Sequence, residues 1–284
     1  MIWRTRRHPM DLTRRGRIMG ILNTTPDSFS DGGLNDGPGT AMNHARRMIS
    51  EGAEIIDIGG ESTRPGAAEV PEEEEISRTT PVIRALRAEW EGWISIDTSK
   101  AGVAEAALSA GADIVNDVSG FRDPAMVAVC AAAGCGVVAM HMQGQPRTMQ
   151  LAPSYEDVVR EVREFFVERH ESLTSAGIHP EALCFDPGIG FGKTLDHNLA
   201  LLRSLDQLSA QGRPLLLGVS RKSFLGQLLG EPTMEAREWP TAALTSWGRE
   251  KGVLLHRVHN VKANLEALRL TEAIIGGGNP PPAS

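Results

Sequence analysis

Short apolar runs alternate with helix-like segments eight times along this chain. The runs cover residues 18–22, 55–58, 93–96, 114–115, 137–140, 183–185, 215–217 and 253–255 or slightly beyond. Each lacks the apolar-polar alternation of a strand with one wet face, so the pattern predicts a parallel sheet covered by helices on both sides. The intervening segments carry start and stop signals. Asp123-Pro124 opens a helix as N-cap and first-turn proline, and Gly134 closes it. Residues 155–176 form a long amphipathic stretch ending at Gly177, and Pro81 should kink or restart the helix that begins at Glu72 to Glu75. Those four glutamates suit the positive end of a helix dipole and need no further role. A faint repeat, residues 50–58 against 109–117, twice sets a helix stop before a buried strand.

Eight such β-then-α units favour closure into a (β/α)8 TIM barrel, a single α/β domain over residues 17–275. An open doubly wound sheet is the alternative if the strand count is off by one or two. A length of 284 residues with 41% hydrophobic content suits one soluble barrel. Residues 276–284, Gly-Gly-Gly-Asn-Pro-Pro-Pro-Ala-Ser, read as a disordered tail. Residues 1–16 hold Arg4, Arg6, Arg7, Arg14 and Arg15 and read as a basic, poorly ordered, solvated arm. Residues 8–17 lack the apolar core that a secretory or twin-arginine signal needs.

Charge and cysteine content narrow the function classes. A net charge of -7 argues against a nucleic-acid surface. No apolar stretch is long enough to span a membrane. Cys130, Cys135 and Cys184 have no metal-type spacing and fall in apolar segments, which points to buried thiols in a reducing, cytoplasmic setting.

In a barrel, the residues ending each strand crowd onto one rim, where barrel enzymes place their chemistry. Here that rim is polar: Asn23, Glu61 to Arg64, Asp97, Asn116 and Asp117, His141, Asp186, Ser220 to Lys222, and Arg257 with His259. Singly, each could be a cap or a core-polar group; together they are a candidate site. Asp97, Asn116 and Asp186 suit the edge of a flat heterocycle presenting N–H donors and a carbonyl. Arg257, His259 and Asn23 come from the last and first strands, adjacent after closure, and offer cation and amide groups to an anion such as phosphate. Ser220-Arg221-Lys222 precedes an apolar helix start whose N–H groups could hold a carboxylate or phosphate.

Asp186 opens the stretch Asp-Pro-Gly-Ile-Gly-Phe-Gly-Lys-Thr, residues 186–194. A P-loop there fails because its first glycine position is Pro187, so the glycines read as backbone freedom beside a ligand. The loop at residues 23–33 is long and turn-rich, as lids are, and Phe29 on it suggests closure over something apolar. Residues 61–66 form a second such loop, carrying Arg64.

These blocks resemble the dihydropteroate synthase family. The resemblance rests on Met19-Gly-Ile-Leu-Asn-Thr-Thr-Pro-Asp-Ser-Phe-Ser-Asp-Gly-Gly33, Ile58-Gly-Gly-Glu-Ser-Thr-Arg-Pro-Gly66, Ser95-Ile-Asp-Thr98, Val115-Asn-Asp-Val-Ser-Gly120, Met140-His-Met142, Phe185-Asp-Pro-Gly-Ile-Gly-Phe-Gly192, Gly218-Val-Ser-Arg-Lys-Ser-Phe-Leu-Gly226 and Arg257-Val-His259, in family order. It implies condensation of 6-hydroxymethyl-7,8-dihydropterin diphosphate with 4-aminobenzoate, releasing pyrophosphate. Asp97, Asn116, Asp186 and Lys222 would hold the pterin, with Arg257 on its face and Met140 lining the pocket. Of these, Asp97, Asp186, Lys222 and Arg257 carry the catalytic role. Asn23, Arg257 and His259 would receive the diphosphate, Asn23 also ligating Mg2+. Phe29, Thr63, Arg64, Pro65, Phe191, Ser220 and Lys222 would form the aminobenzoate site, where sulfonamides should compete. A homodimer is the family habit.

Two departures stand out. Asn260 follows Arg-Val-His where the family usually has Asp, which questions how Arg257 and His259 are oriented, and Thr24 replaces a commoner Val. Two other readings remain open: a pterin-binding methyltransferase domain, and a non-catalytic pterin-binding paralogue.

Overall fold

The computed structural model of the chain describes residues 1–25, 37–62, 67–145, 148–231 and 233–276. Its barrel strands are β3 (Arg17–Asn23), β4 (Ile55–Gly59), β5 (Trp93–Asp97), β6 (Ile114–Asp117), β7 (Gly136–Met140), β8 (Leu183–Asp186), β9 (Leu216–Leu217) and β10 (Leu255–Val258), preceded by a hairpin of β1 (Ile2–Trp3) and β2 (Met10–Asp11). The barrel strands pair in parallel in the order β8-β7-β6-β5-β4-β3-β10-β9. A parallel bridge between Phe185 and Leu215 joins the two ends of that order, which brings the sheet round into a TIM barrel. Against the predicted run at 253–255, β10 begins two residues and ends three residues further on, so His256 and Arg257 lie inside the strand.

The helices are α1 (Gly37–Ser50), α2 (Glu72–Glu89), α3 (Ala101–Ala110), α4 (Pro124–Ala133), α5 (Val158–Ser175), α6 (Leu195–Arg203), α7 (Ser223–Leu229), α8 (Glu238–Glu250) and α9 (Val261–Ile275). Asp123 caps α4 by accepting from Ala125 N–H, and Gly134 closes it in the left-handed region, as the sequence signals require. Pro81 neither breaks nor restarts α2, which runs straight through it. Pro81 is exposed, so water can serve the carbonyl that its missing N–H leaves unpaired.

Two apolar layers result from the period-two alternation of each strand. Outward residues such as Ile18, Leu22, Ile56, Ile94, Ile96, Val137, Phe185 and Leu217 pack with the helices. Inward residues Met19, Ile55, Ile114, Val138, Cys184, Leu216 and Leu255 form a second cluster at the foot of the barrel.

That inner cluster includes Trp3, Met10 and Leu12, and this corrects the expectation of a solvated arm at 1–16. The hairpin closes the foot of the barrel: Trp3 is fully buried and its indole N–H donates to Ala182 O at 2.8 Å. Arg7 reaches Asp113 at 3.0 Å, and Arg87 bonds the same buried carboxylate. The arginines that suggested solvation flank three apolar residues whose spacing matches no helix or strand face until the hairpin forms. The predicted tail at 276–284 lies outside the described residues after Gly276. All three cysteines are free and buried.

Candidate active site at the barrel mouth

The alternation that lines the foot with apolar side chains lines the mouth with polar ones. Two residues beyond Ile55, Ile114, Cys184 and Leu255 on the same inward face stand Asp57, Asn116, Asp186 and Arg257. Asn23, Asp97 and Met140 end their strands on that face too. Seven strands thus deliver their last inward residue to one concave rim.

Arg257 is its electrostatic centre. Its Nε donates to Asp57 at 2.6 Å, a second guanidinium nitrogen bonds Asp97, and Asn116 donates to Asp57 at 3.2 Å. Burial lifts the Asp97 carboxyl to about 7, with Arg257 opposing and Asp57 reinforcing the rise. Burial alone would lower Arg257, but Asp57 and Asp97 outweigh it and hold the guanidinium firmly protonated. Among the described residues, buried oxygens of Asp57 and Asp97 find no hydrogen-bond partner, so the cluster is a polar surface suited to N–H donors. Asp57 escaped the sequence reading because it sits mid-run between isoleucines. Counting by twos from Ile55 would have placed it inward.

Asp186 lies across the mouth. Its carboxylate accepts Gly188 N–H at 2.7 Å, and burial lifts it to about 6 against the pull of that bond, Lys222 and Arg257. Gly188 is obligatory: its φ is 64° and a Cβ there would stand 1.9 Å from His141 O. Beside it, Val118, Met140, Met142, Met149 and Phe191 form an apolar wall. The Lys222 ammonium lies 3.8 Å above the Phe191 ring centroid, a cation–π contact that presents a flat, charged corner.

The Ser220-Arg221-Lys222 turn is tightened by Arg221, whose φ of 58° is a left-handed backbone for a non-glycine residue. Arg221 points away to Glu238, leaving Ser220 and Lys222 on the mouth side. Ser220 Oγ lies 2.9 Å from His259 Nδ1 and accepts His259 N–H at 3.1 Å. That hydroxyl therefore orients the anion-side histidine, a relation no sequence spacing reveals across 39 residues. Asn260 has a different job: it caps α9 by accepting Ala263 N–H at 3.2 Å. Arg257 and His259 are oriented by Asp57, Asp97 and Ser220, and an asparagine caps a helix about as well as an aspartate.

Two rim residues singled out earlier, Asp117 and His141, leave the centre. Asp117 points to the outer side and holds the following turn, accepting from Ser119 and Phe121. His141 is buried and bonded to Lys193 at 3.0 Å. Glu75, read as a dipole charge, is instead fully buried and bonded by Lys100 at 2.6 Å, and Lys100 also holds Glu61. Phe29, Thr63, Arg64 and Pro65 lie outside the described residues.

Comparison with known proteins fits this geometry. Residues 19–259 match the family model described as pterin binding enzyme. Dihydropteroate synthase of Escherichia coli (strain K12) is 48% identical, the alignment covering 91% of this chain and 91% of that one. The Yersinia pestis dihydropteroate synthase, solved with a sulfonamide drug complex, superposes with a TM-score of 0.91 at 45% identity, covering 97% of this chain and 100% of that one. The Xanthomonas albilineans dihydropteroate synthase, solved with 4-aminobenzoic acid, superposes with a TM-score of 0.89 at 44% identity, covering 94% and 95%. A barrel whose mouth offers two carboxylates and an amide around an arginine, matched by these relatives along nearly its whole length, belongs to the dihydropteroate synthase family of pterin-binding enzymes.

Proposed function

We propose that the chain joins 6-hydroxymethyl-7,8-dihydropterin diphosphate to 4-aminobenzoate, giving 7,8-dihydropteroate and pyrophosphate. The observation that carries this is the inward ring of Asp97, Asn116 and Asp186 with Arg257 between carboxylates. Its buried acceptors match the N–H donors along a pterin edge, and the guanidinium can lie on the ring face. The apolar wall of Met140 and Phe191 supports the flat ring from the side.

In the reaction the methylene C–O bond to diphosphate breaks, its electron pair leaving with pyrophosphate, and the arylamine nitrogen forms the new C–N bond and gives up a proton. Asp97 and Asp186 stabilise positive charge spreading into the pterin, and Arg257 and His259 receive the departing anion. A neutral arylamine is already nucleophilic, so no strong base is required of the site. Phe191, Lys222 and the residues of the two loops would hold the aminobenzoate, with Lys222 over the Phe191 ring marking the corner.

Among the described residues no cluster of three or more His, Cys, Asp or Glu forms a metal cage. The donor set fits an ion whose ligands come mostly from substrate and water: Asn23 would give one amide oxygen to Mg2+, phosphate and water the rest. Mg2+ bound there supplies charge neutralisation to the leaving group.

A pyrophosphate-release assay tests the reading. Release is expected only with both substrates and Mg2+ present, and sulfonamides should compete with aminobenzoate. Tight pterin binding without release would leave the non-catalytic reading standing.

Ser220 separates two assignments. Acting through His259, Ser220→Ala should raise the Michaelis constant for the diphosphate substrate about tenfold, the worth of one net hydrogen bond. A rise confined to aminobenzoate would instead place its hydroxyl on that carboxylate.

Helices α7 to α9 expose Leu228, Leu229, Trp239, Leu270 and Ile274, with Trp239 79% accessible. Exposed apolar side chains on three successive helices support a homodimer as the working form. Twice the 30.6 kDa chain mass in solution is the expected result, and a monomer at assay concentration would remove it. Among the described residues no helix is long and apolar enough to cross a membrane.

A further inference from the structure

Lys193, dismissed at first as half of a failed P-loop, is 3% exposed. A buried ammonium is costly unless its three donors are met. Here they are: Nζ lies 3.0 Å from His141 Nδ1, 3.0 Å from Phe191 O and 3.4 Å from His141 O. Among the described residues no carboxylate lies within ion-pair distance of it, and the acid whose charge it feels is Asp186.

The bonds link two barrel loops. His141 follows β7 and Phe191 lies in the glycine turn after β8. These segments press together, since a Cβ on Gly192 would stand 2.4 Å from Gln143 O. Tyr155 O–H donates to Gly192 O at 2.8 Å from the outer side. The turn so fixed carries Gly188 N–H onto Asp186 and Phe191 beneath Lys222. Lys193 therefore stands behind the wall of the pterin pocket and touches none of its open face.

We infer that Lys193 is a positioning residue for the pterin site: its amine staples the end of β7 to the turn after β8, and its ammonium adds positive charge behind the wall that carries Asp186. This rests on the pterin reading above. Burial pulls Lys193 down to about 7, opposed by Asp186 and helped by Lys222. It lifts Asp186 to about 6. Around pH 6 the ammonium is thus present where the carboxylate would otherwise take a proton. Asp97, held near 7 across the mouth, titrates in the same range but does so in wild type and variants alike. Lys222 and Arg257 are cations beside Asp186, the Cys184 thiol behind it is held up by burial, burial with Lys193 and Arg122 keeps His141 neutral down to about 3, and burial keeps Tyr155 a phenol.

The test measures the dissociation constant of the pterin diphosphate against pH for the wild-type chain, Lys193→Met and Lys193→Gln. In Lys193→Met the staple and the charge are both lost. Affinity should fall about tenfold on the alkaline side, and its acid limb should move up by about half a pH unit, since Lys222 and Arg257 still act on Asp186. Lys193→Gln keeps donors for Phe191 O and His141 O, so it should recover alkaline affinity while keeping the raised acid limb. It also carries the test alone if Lys193→Met does not fold. An acid limb at the wild-type position in Lys193→Gln overturns the inference, because packing alone moves affinity equally at all pH. A wild-type chain without pterin affinity removes the pterin reading and this inference with it. An active wild-type enzyme with unshifted variants removes this inference only.

Discussion

Asp186→Ala is expected to lower kcat/KM for the pterin diphosphate at least about 100-fold, equivalent to about 2.7 kcal/mol of transition-state binding. The side chain is 5% exposed at the end of β8, and one of its oxygens is already committed to Gly188 N–H. Removing it leaves that N–H buried and unpaired and deprives the pterin edge of a charged acceptor, and both losses fall on the same pocket. The wild-type pH profile carries the same signature. Burial holds Asp186 near 6 and Asp97 near 7, both well above an ordinary aspartate. As pH falls through these values each carboxylate takes a proton, so pterin affinity should decline below about pH 7 and more steeply below about pH 6. Calorimetric titration of Asp186→Ala with the pterin substrate checks the first point. Undiminished affinity there would mean that the edge is read elsewhere.

The second large effect falls at the opposite end of the barrel. Trp3→Ala should destabilise the fold by about 3–5 kcal/mol, because a fully buried indole is removed from a cluster that cannot collapse without shifting several strands. Its N–H bond to Ala182 O goes as well, removing the partner of a carbonyl in the turn just before β8. For a chain of this size the loss corresponds to a melting-temperature drop of roughly 10 °C. Well below that temperature, activity should be nearly unchanged, since the mouth and the foot share no side-chain contact named above. Urea titration read by circular dichroism, with a parallel activity assay, tests both halves. A variant as stable as the parent would return residues 1–16 to the solvated arm that their arginines suggested.

These two results mark how far the sequence could be read. Eight apolar runs with helical segments between them were enough to fix a parallel sheet wrapped by helices, because hydrophobic periodicity is a local property. Once the strands were placed, their ends named Asn23, Asp97, Asn116, Asp186 and Arg257 as rim residues, since a barrel brings every strand end to one face whatever the details of packing. Helix caps such as Asp123 and Gly134 were legible for the same reason: their partners lie within a few residues.

What the tertiary structure alone decided is which charges meet across long sequence separations. Arg257 finds Asp57 at a distance of 200 residues, Ser220 finds His259 at 39, Lys193 finds His141 at 52 and Trp3 finds Ala182 at 179. No window of sequence holds both partners, and each partner alone reads as something duller: Asp57 as an interruption in a strand, Lys193 as a loop cation, Trp3 as part of a basic head. A side chain's type is written in the chain, but its desolvation and the charges around it exist only once the strands have closed. That is why the sequence could say which residues reach the rim, and only the closed barrel could say that Asp57 and Asp97 meet there on the guanidinium of Arg257.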